Sequence, residues 1–207
     1  MKKLFMAVAA CLMMAGSSDA SVTETISLAG NGGLLGTSLL INSAPITDNG
    51  VTFTAQFQVT GSDVSGAPAP ANLQQTVDGL GIAGNGTDGI NANDELTITF
   101  AGFTSVSGGS VAFDGFSGFE LTGVDIAGEI AVLNGQTIPN NGPFNFTPLP
   151  SFQLTGQENF FNPAADSDYR VLTFNSTFTG TAAVPEPSSL AALAFMGVCV
   201  VTRRRRR

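Results

Sequence analysis

The sequence predicts an all-β domain built as an antiparallel β-sandwich, flanked by an N-terminal signal helix and a short hydrophobic helix at the C-terminus. Three observations predict it. Residues 51–60 alternate strictly, with Val51, Phe53, Ala55, Phe57 and Val59 on one side and Thr52, Thr54, Gln56, Gln58 and Thr60 on the other. That is the period of a strand with one buried and one wet face. Further Thr- and Phe-rich runs recur between clusters of Gly, Asn, Asp and Pro, at a spacing that suits short sandwich strands. No internal stretch sustains an i, i+3, i+4 apolar pattern, and Gly and Thr depress helix propensity over most of the chain.

Taken in order, strands are expected over 22–28, 37–42, 51–60, 96–100 with a continuation over 103–106 beyond Gly102, 118–126, 129–133, 152–155 and 169–179. Residues 65–71 and 139–150, both punctuated by proline, are expected as long connections. The glycines of 30–36 are expected in a hairpin or loop, because neither a G-x-G-x-x-G pattern nor a G-K-[ST] ending follows them.

Charge narrows the function classes. The chain of 207 residues carries a net charge of −8, yet its basic residues gather at the ends: Lys2, Lys3 and the block Arg203, Arg204, Arg205, Arg206 and Arg207, with Arg170 alone between them. Residues 21–183 therefore form an acidic domain, which repels phosphate and predicts no nucleic-acid partner. Its acidity suits solubility after export, a divalent cation, or a basic partner. There is no His and no Trp, and the two cysteines, Cys11 and Cys199, lie in the terminal apolar runs. The middle domain thus has no thiol for a disulfide, zinc or nucleophilic chemistry, and lacks the commonest general base. Neighbouring carboxylates such as Asp94 and Glu95 alternate along a strand and point apart, so a glycosidase pair is not expected there.

The two ends read as export and sorting elements. Residues 1–20 place Lys2 and Lys3 before an apolar run over 4–15 and a small-residue stretch ending in Ala20, the three regions of a secretory signal. Cleavage is expected between Ala20 and Ser21, by signal peptidase. At the other end, Val184, Pro185, Glu186, Pro187 and Ser188 precede a second apolar run over 190–201 and the five arginines. The prolines favour an extended, accessible segment. The apolar run, about 18 Å long as a helix, can pause in a membrane, and the arginines resist translocation.

This tripartite tail over 184–207 resembles the PEP-CTERM sorting signal of Gram-negative bacteria. The resemblance implies an exosortase-like membrane protease as processing partner, transient anchoring in the inner membrane, and a destination at the cell surface or outside the cell, often beside exopolysaccharide. The phrase around 79–100 resembles, more loosely, a segment of passengers of this sorting family, which implies a jelly-roll-like form of the sandwich.

One internal segment is rich in oxygen ligands. Residues 79–95 carry glycines together with Asp88, Asn91, Asn93, Asp94 and Glu95. These could supply oxygens to calcium, the candidate cofactor, although the order is not that of an EF-hand. The same composition makes a glycine-rich loop of Asx turns. Candidate aromatic platforms for a sugar are Tyr169 and Phe113, Phe116, Phe119, Phe144, Phe146, Phe160 and Phe161, but Phe in alternating segments usually belongs to a core. The expected function is that of a noncatalytic exported surface or matrix protein; the alternative is a calcium-dependent carbohydrate-binding module.

Overall fold

Every second residue of the run beginning at Val51 is apolar, and in the computed structural model that run becomes the central strand of an all-β fold. The structure describes residues 21–64, 68–83, 89–90, 93–123, 129–138, 142–158 and 169–183. Among them are fourteen strands: β1 (Ser21–Ser27), β2 (Gly33–Gly36), β3 (Ser38–Asn42), β4 (Ile46–Asp48), β5 (Val51–Asp63), β6 (Ala69–Thr76), β7 (Gly79–Ala83), β8 (Asp94–Ser107), β9 (Gly109–Thr122), β10 (Glu129–Leu133), β11 (Gln136–Ile138), β12 (Gly142–Leu149), β13 (Ser151–Glu158) and β14 (Arg170–Ala182). The expected signal helix and C-terminal hydrophobic helix fall outside the described residues.

The strands form one antiparallel sheet in the order β11-β10-β13-β8-β5-β6-β7-β14-β9-β12, with β1 added to β14, β2 to β6, and β3 and β4 to β5. The sheet curls into a half-barrel, so that its concave face packs on itself. Phenylalanine makes that contact. Phe57 of β5 meets Phe174 of β14 at 5.0 Å between ring centroids, Phe53 meets Phe178 at 5.1 Å, and Phe116 of β9 meets Phe152 of β13 at 5.1 Å. These edge-to-face arrangements suit the ring quadrupoles. Phe53, Phe57, Phe116, Phe119, Phe152, Phe174 and Phe178 are all essentially without solvent exposure.

Two hairpins turn on Asn-Gly. Asn49 and Gly50 have φ of 49° and 79° between β4 and β5, and Asn134 and Gly135 have 46° and 83° between β10 and β11. Positive φ at both central residues is what a two-residue turn of the primed type requires, and its twist matches the strands that it joins. Gly108, at φ 86°, lets the chain arch from β8 into β9, where a Cβ would lie 2.5 Å from the Gly50 carbonyl oxygen.

The expected strands at 22–28, 37–42, 51–60, 96–106, 129–133, 152–155 and 169–179 match β1, β3, β5, β8, β10, β13 and β14 in place, with longer bounds for β5, β8, β13 and β14. Other expectations are corrected. Residues 69–71 are not connection but the start of β6, and 142–149 form β12 rather than part of a long loop. In both places the prolines sit where no donor is needed. Among the described residues, Pro70 lies in the stretch of β6 that pairs with β5 alone, and β12 pairs with β9 alone, with Pro148 in an irregularity of the register. Residues 33–36 form the short edge strand β2 on β6. Residues 79–83 form β7, not a loop of Asx turns; Gly79 is required there because a Cβ would lie 2.5 Å from the carbonyl oxygen of Val171. The strand expected at 118–126 begins earlier, at Gly109, and 124–126 lie outside the described residues.

Candidate functional site

The oxygen-rich segment leads directly into β8. Asp88 and Asn91 lie outside the described residues, whereas Asn93, Asp94 and Glu95 are placed. Asp94 turns inward and is 5% exposed, while Glu95, the next residue of the strand, is half-buried on the opposite face. Those two carboxylates therefore do not converge. The residue that does stand opposite Asp94 is Asp63, its Cα partner at the end of β5. The Asn93 carbonyl accepts a hydrogen bond from Val64 N–H at 2.6 Å, which ties the segment to the same end of β5.

Asp63, Asn93 and Asp94 thus form an oxygen-bearing corner. Asp63 escaped the sequence reading, because its membership depends on the β5–β8 register and not on its neighbours in sequence. Calcium takes six to eight oxygens, and the side chains of Asp63, Asn93 and Asp94 carry five between them. Among the described residues no group of three or more His, Cys, Asp and Glu comes together at metal-binding distance.

The remaining sugar-platform candidates go to the interior. Tyr169 is fully buried, and its carbonyl accepts from Ile90 N–H at 2.8 Å, so its ring is no exposed platform. Phe116 and Phe119 are core residues, while Phe113, Phe144 and Phe146 are half-buried against the core. Phe160 and Phe161 lie outside the described residues.

What the sheet presents to solvent is rich in neutral hydrogen-bonding groups, with acids such as Asp114 interspersed. On the convex face of β5, Gln56 donates to Asn42 Oδ1 at 3.1 Å, Gln58 to Ser38 Oγ at 3.2 Å, and the Thr47 and Thr52 hydroxyls lie 3.1 Å apart. Across β1, β14 and β9, Thr25 donates to Asn175 Oδ1 at 2.8 Å, Thr177 to Ser117 Oγ at 3.2 Å, and Thr179 to Asp114 Oδ2 at 2.7 Å. Such cross-strand pairs stiffen each face and leave it wettable without concentrating charge.

Of the expected cleavage residues, Ser21 opens β1, aligned with Thr179 of β14, and Ala20 lies outside the described residues. Val184, Pro185, Glu186, Pro187, Ser188 and Arg203 to Arg207 also lie outside them. Among the described residues no helix is long and apolar enough to cross a membrane. No family model matches the chain, and neither a curated protein nor a solved structure matches it.

Proposed function

We propose that the chain is an exported, noncatalytic protein of the cell surface or extracellular matrix. In this reading residues 1–20 direct export and residues 21–183 are the passenger, whose curled sheet is a jelly-roll-like sandwich in its finer description. Residues 184–207 are the sorting signal. Signal peptidase acts between Ala20 and Ser21, an exosortase-like protease reads the segment around Pro185, Glu186 and Pro187, and exopolysaccharide is the expected neighbour. The single observation that carries this reading is the order of parts in the tail: Pro-Glu-Pro, a short apolar run and five arginines, behind a domain with Arg170 as its one basic residue. The outer faces, stiffened by cross-strand hydroxyl and amide pairs, support a structural or adhesive use, since they offer hydroxyls and amides to hydroxyl-rich surroundings.

Intact-mass analysis of the protein recovered outside the cell tests it. The expected chain starts at Ser21, ends near Pro185 to Ser188 and lacks the five arginines; a mass retaining them sinks the sorting reading. Glu186→Ala should leave a larger, membrane-associated precursor.

A second reading, a calcium-dependent carbohydrate-binding module, is favoured by Asp63 standing opposite the buried Asp94. Calcium at about one hundred times its Kd would stabilise the domain by roughly 2.7 kcal/mol, read as a rise in Tm of several degrees. Asp63→Asn with Asp94→Asn should remove that rise. An unchanged Tm with and without calcium ends this reading and leaves the first intact.

A further inference from the structure

Sheet edges differ in how they are protected. Unpaired backbone groups along an edge invite a further strand, and proteins blunt them with proline, charge or irregularity. β12 carries Pro143 and Pro148, the stretch of β6 paired only with β5 carries Pro70, and β1 has Glu24 on its inward side, aligned with the buried Ser176. β3 has none of these. Among the described residues it pairs with β5 alone, and no charged residue occurs anywhere in 25–47.

The direction of the free groups on β3 follows from its ladder. Gly61 N–H donates to the Thr37 carbonyl at 3.3 Å and Ser43 N–H to the Ala55 carbonyl at 2.9 Å, in the register that aligns Leu40 with Gln58. Hydrogen-bonded and non-hydrogen-bonded pairs alternate in an antiparallel ladder. Residues 39 and 41 therefore turn their backbone groups toward β5, and Ser38, Leu40 and Asn42 turn theirs outward. Gln58 and Gln56 hold the side chains of Ser38 and Asn42, so both ends of this edge are anchored to β5.

The edge is also self-complementary. Leu40 projects on the convex face with 57% of its surface exposed, and Leu39 and Ile41 are half-buried against the core. An antiparallel strand of the same sequence, related by a twofold axis through Leu40, sets Leu40 against Leu40, Ser38 against Asn42 and Leu39 against Ile41. Each pairing joins like with like, as an isologous contact requires. About six backbone hydrogen bonds close across the axis. In a domain of fourteen acids and one Arg, two copies repel over most of their surface, and this uncharged strip is where they can approach. We propose that β3 docks on β3 of a second copy of this chain, continuing the sheet from one molecule into the next.

The test uses the full chain in a non-ionic detergent, followed by analytical ultracentrifugation from micromolar to millimolar concentration. A monomer–dimer equilibrium is expected, with Leu40→Lys weakening it at least about tenfold through two like charges set face to face. At concentrations where both are monomeric, its Tm and circular dichroism should match those of the parent chain because the side chain is exposed. Leu34→Lys, on the 66% exposed residue of β2, should leave the equilibrium as it was. Leu40→Cys, with Cys11 and Cys199 replaced by Ser, should oxidise to a covalent dimer, since Cα atoms about 5.5 Å apart admit a disulfide. Val77→Cys, at a residue 66% exposed in the β6–β7 turn, should not. A monomer throughout the range, equal weakening by Leu34→Lys and Leu40→Lys, or equal cross-linking from positions 40 and 77 would each overturn the proposal.

Discussion

β5 and β12 have the same inward rhythm and very different surroundings. In β5, Phe53 and Phe57 are fully buried between strands on both sides, and Phe57 alone meets the rings of Phe100, Phe113, Phe116, Phe174 and Phe178. In β12, Phe144 and Phe146 also face inward, but they are half-buried and the strand has β9 as its one described neighbour. Proline is tolerated in β12 for the reason that it would be damaging in the middle of β5: the edge has backbone positions whose N–H has no ladder partner. Alternation therefore reports which side of a strand faces the core. How deep that side lies is set by the number of flanking strands.

Substitutions can break or sharpen this contrast. Phe57→Ala should destabilise most, by about 3 to 5 kcal/mol, because the surrounding rings belong to several strands and cannot all collapse into the space. Phe146→Ala should cost less, about 1 to 2 kcal/mol, since part of the ring is already in water. Equal losses in denaturant unfolding of the two variants would mean that β12 is as deeply placed as β5. Gln58→Ala, on the wet side of β5, should stay within about 0.5 kcal/mol. A loss there comparable with Phe57→Ala would put the wrong face of β5 in the core.

Much of this was legible residue by residue. The alternation over 51–60 located β5, and Leu96, Ile98 and Phe100 located the first half of β8. Two further hairpins were within reach. Asn49-Gly50 and Asn134-Gly135 are among the strongest short-range turn signals, and they mark β4 and β11, which are too brief to show a period of their own. β6, β7 and β12 were hidden because glycine and proline speak for turns when read locally. Their strand state depends on neighbours distant in the chain, such as β14 against Gly79. At the oxygen-rich corner, Asn93 and Asp94 were visible as ligand types, but the partner Asp63 was not.

The sequence by itself determined the all-β class, the inward and outward faces of the long strands, the acidic character of the middle and the unusual chemistry of both ends. These are properties of composition and of a two-residue period, and they need no knowledge of what lies across the sheet. Only the tertiary structure decided the order of strands, the curl that brings the Phe57 ring against Phe174, the pairing of Asp94 with Asp63, and the position of β3, which among the described residues pairs with β5 alone. Hydrogen-bond partners in a sheet are chosen by closing long loops against the burial of a shared face, so they belong to the whole chain and to no segment of it.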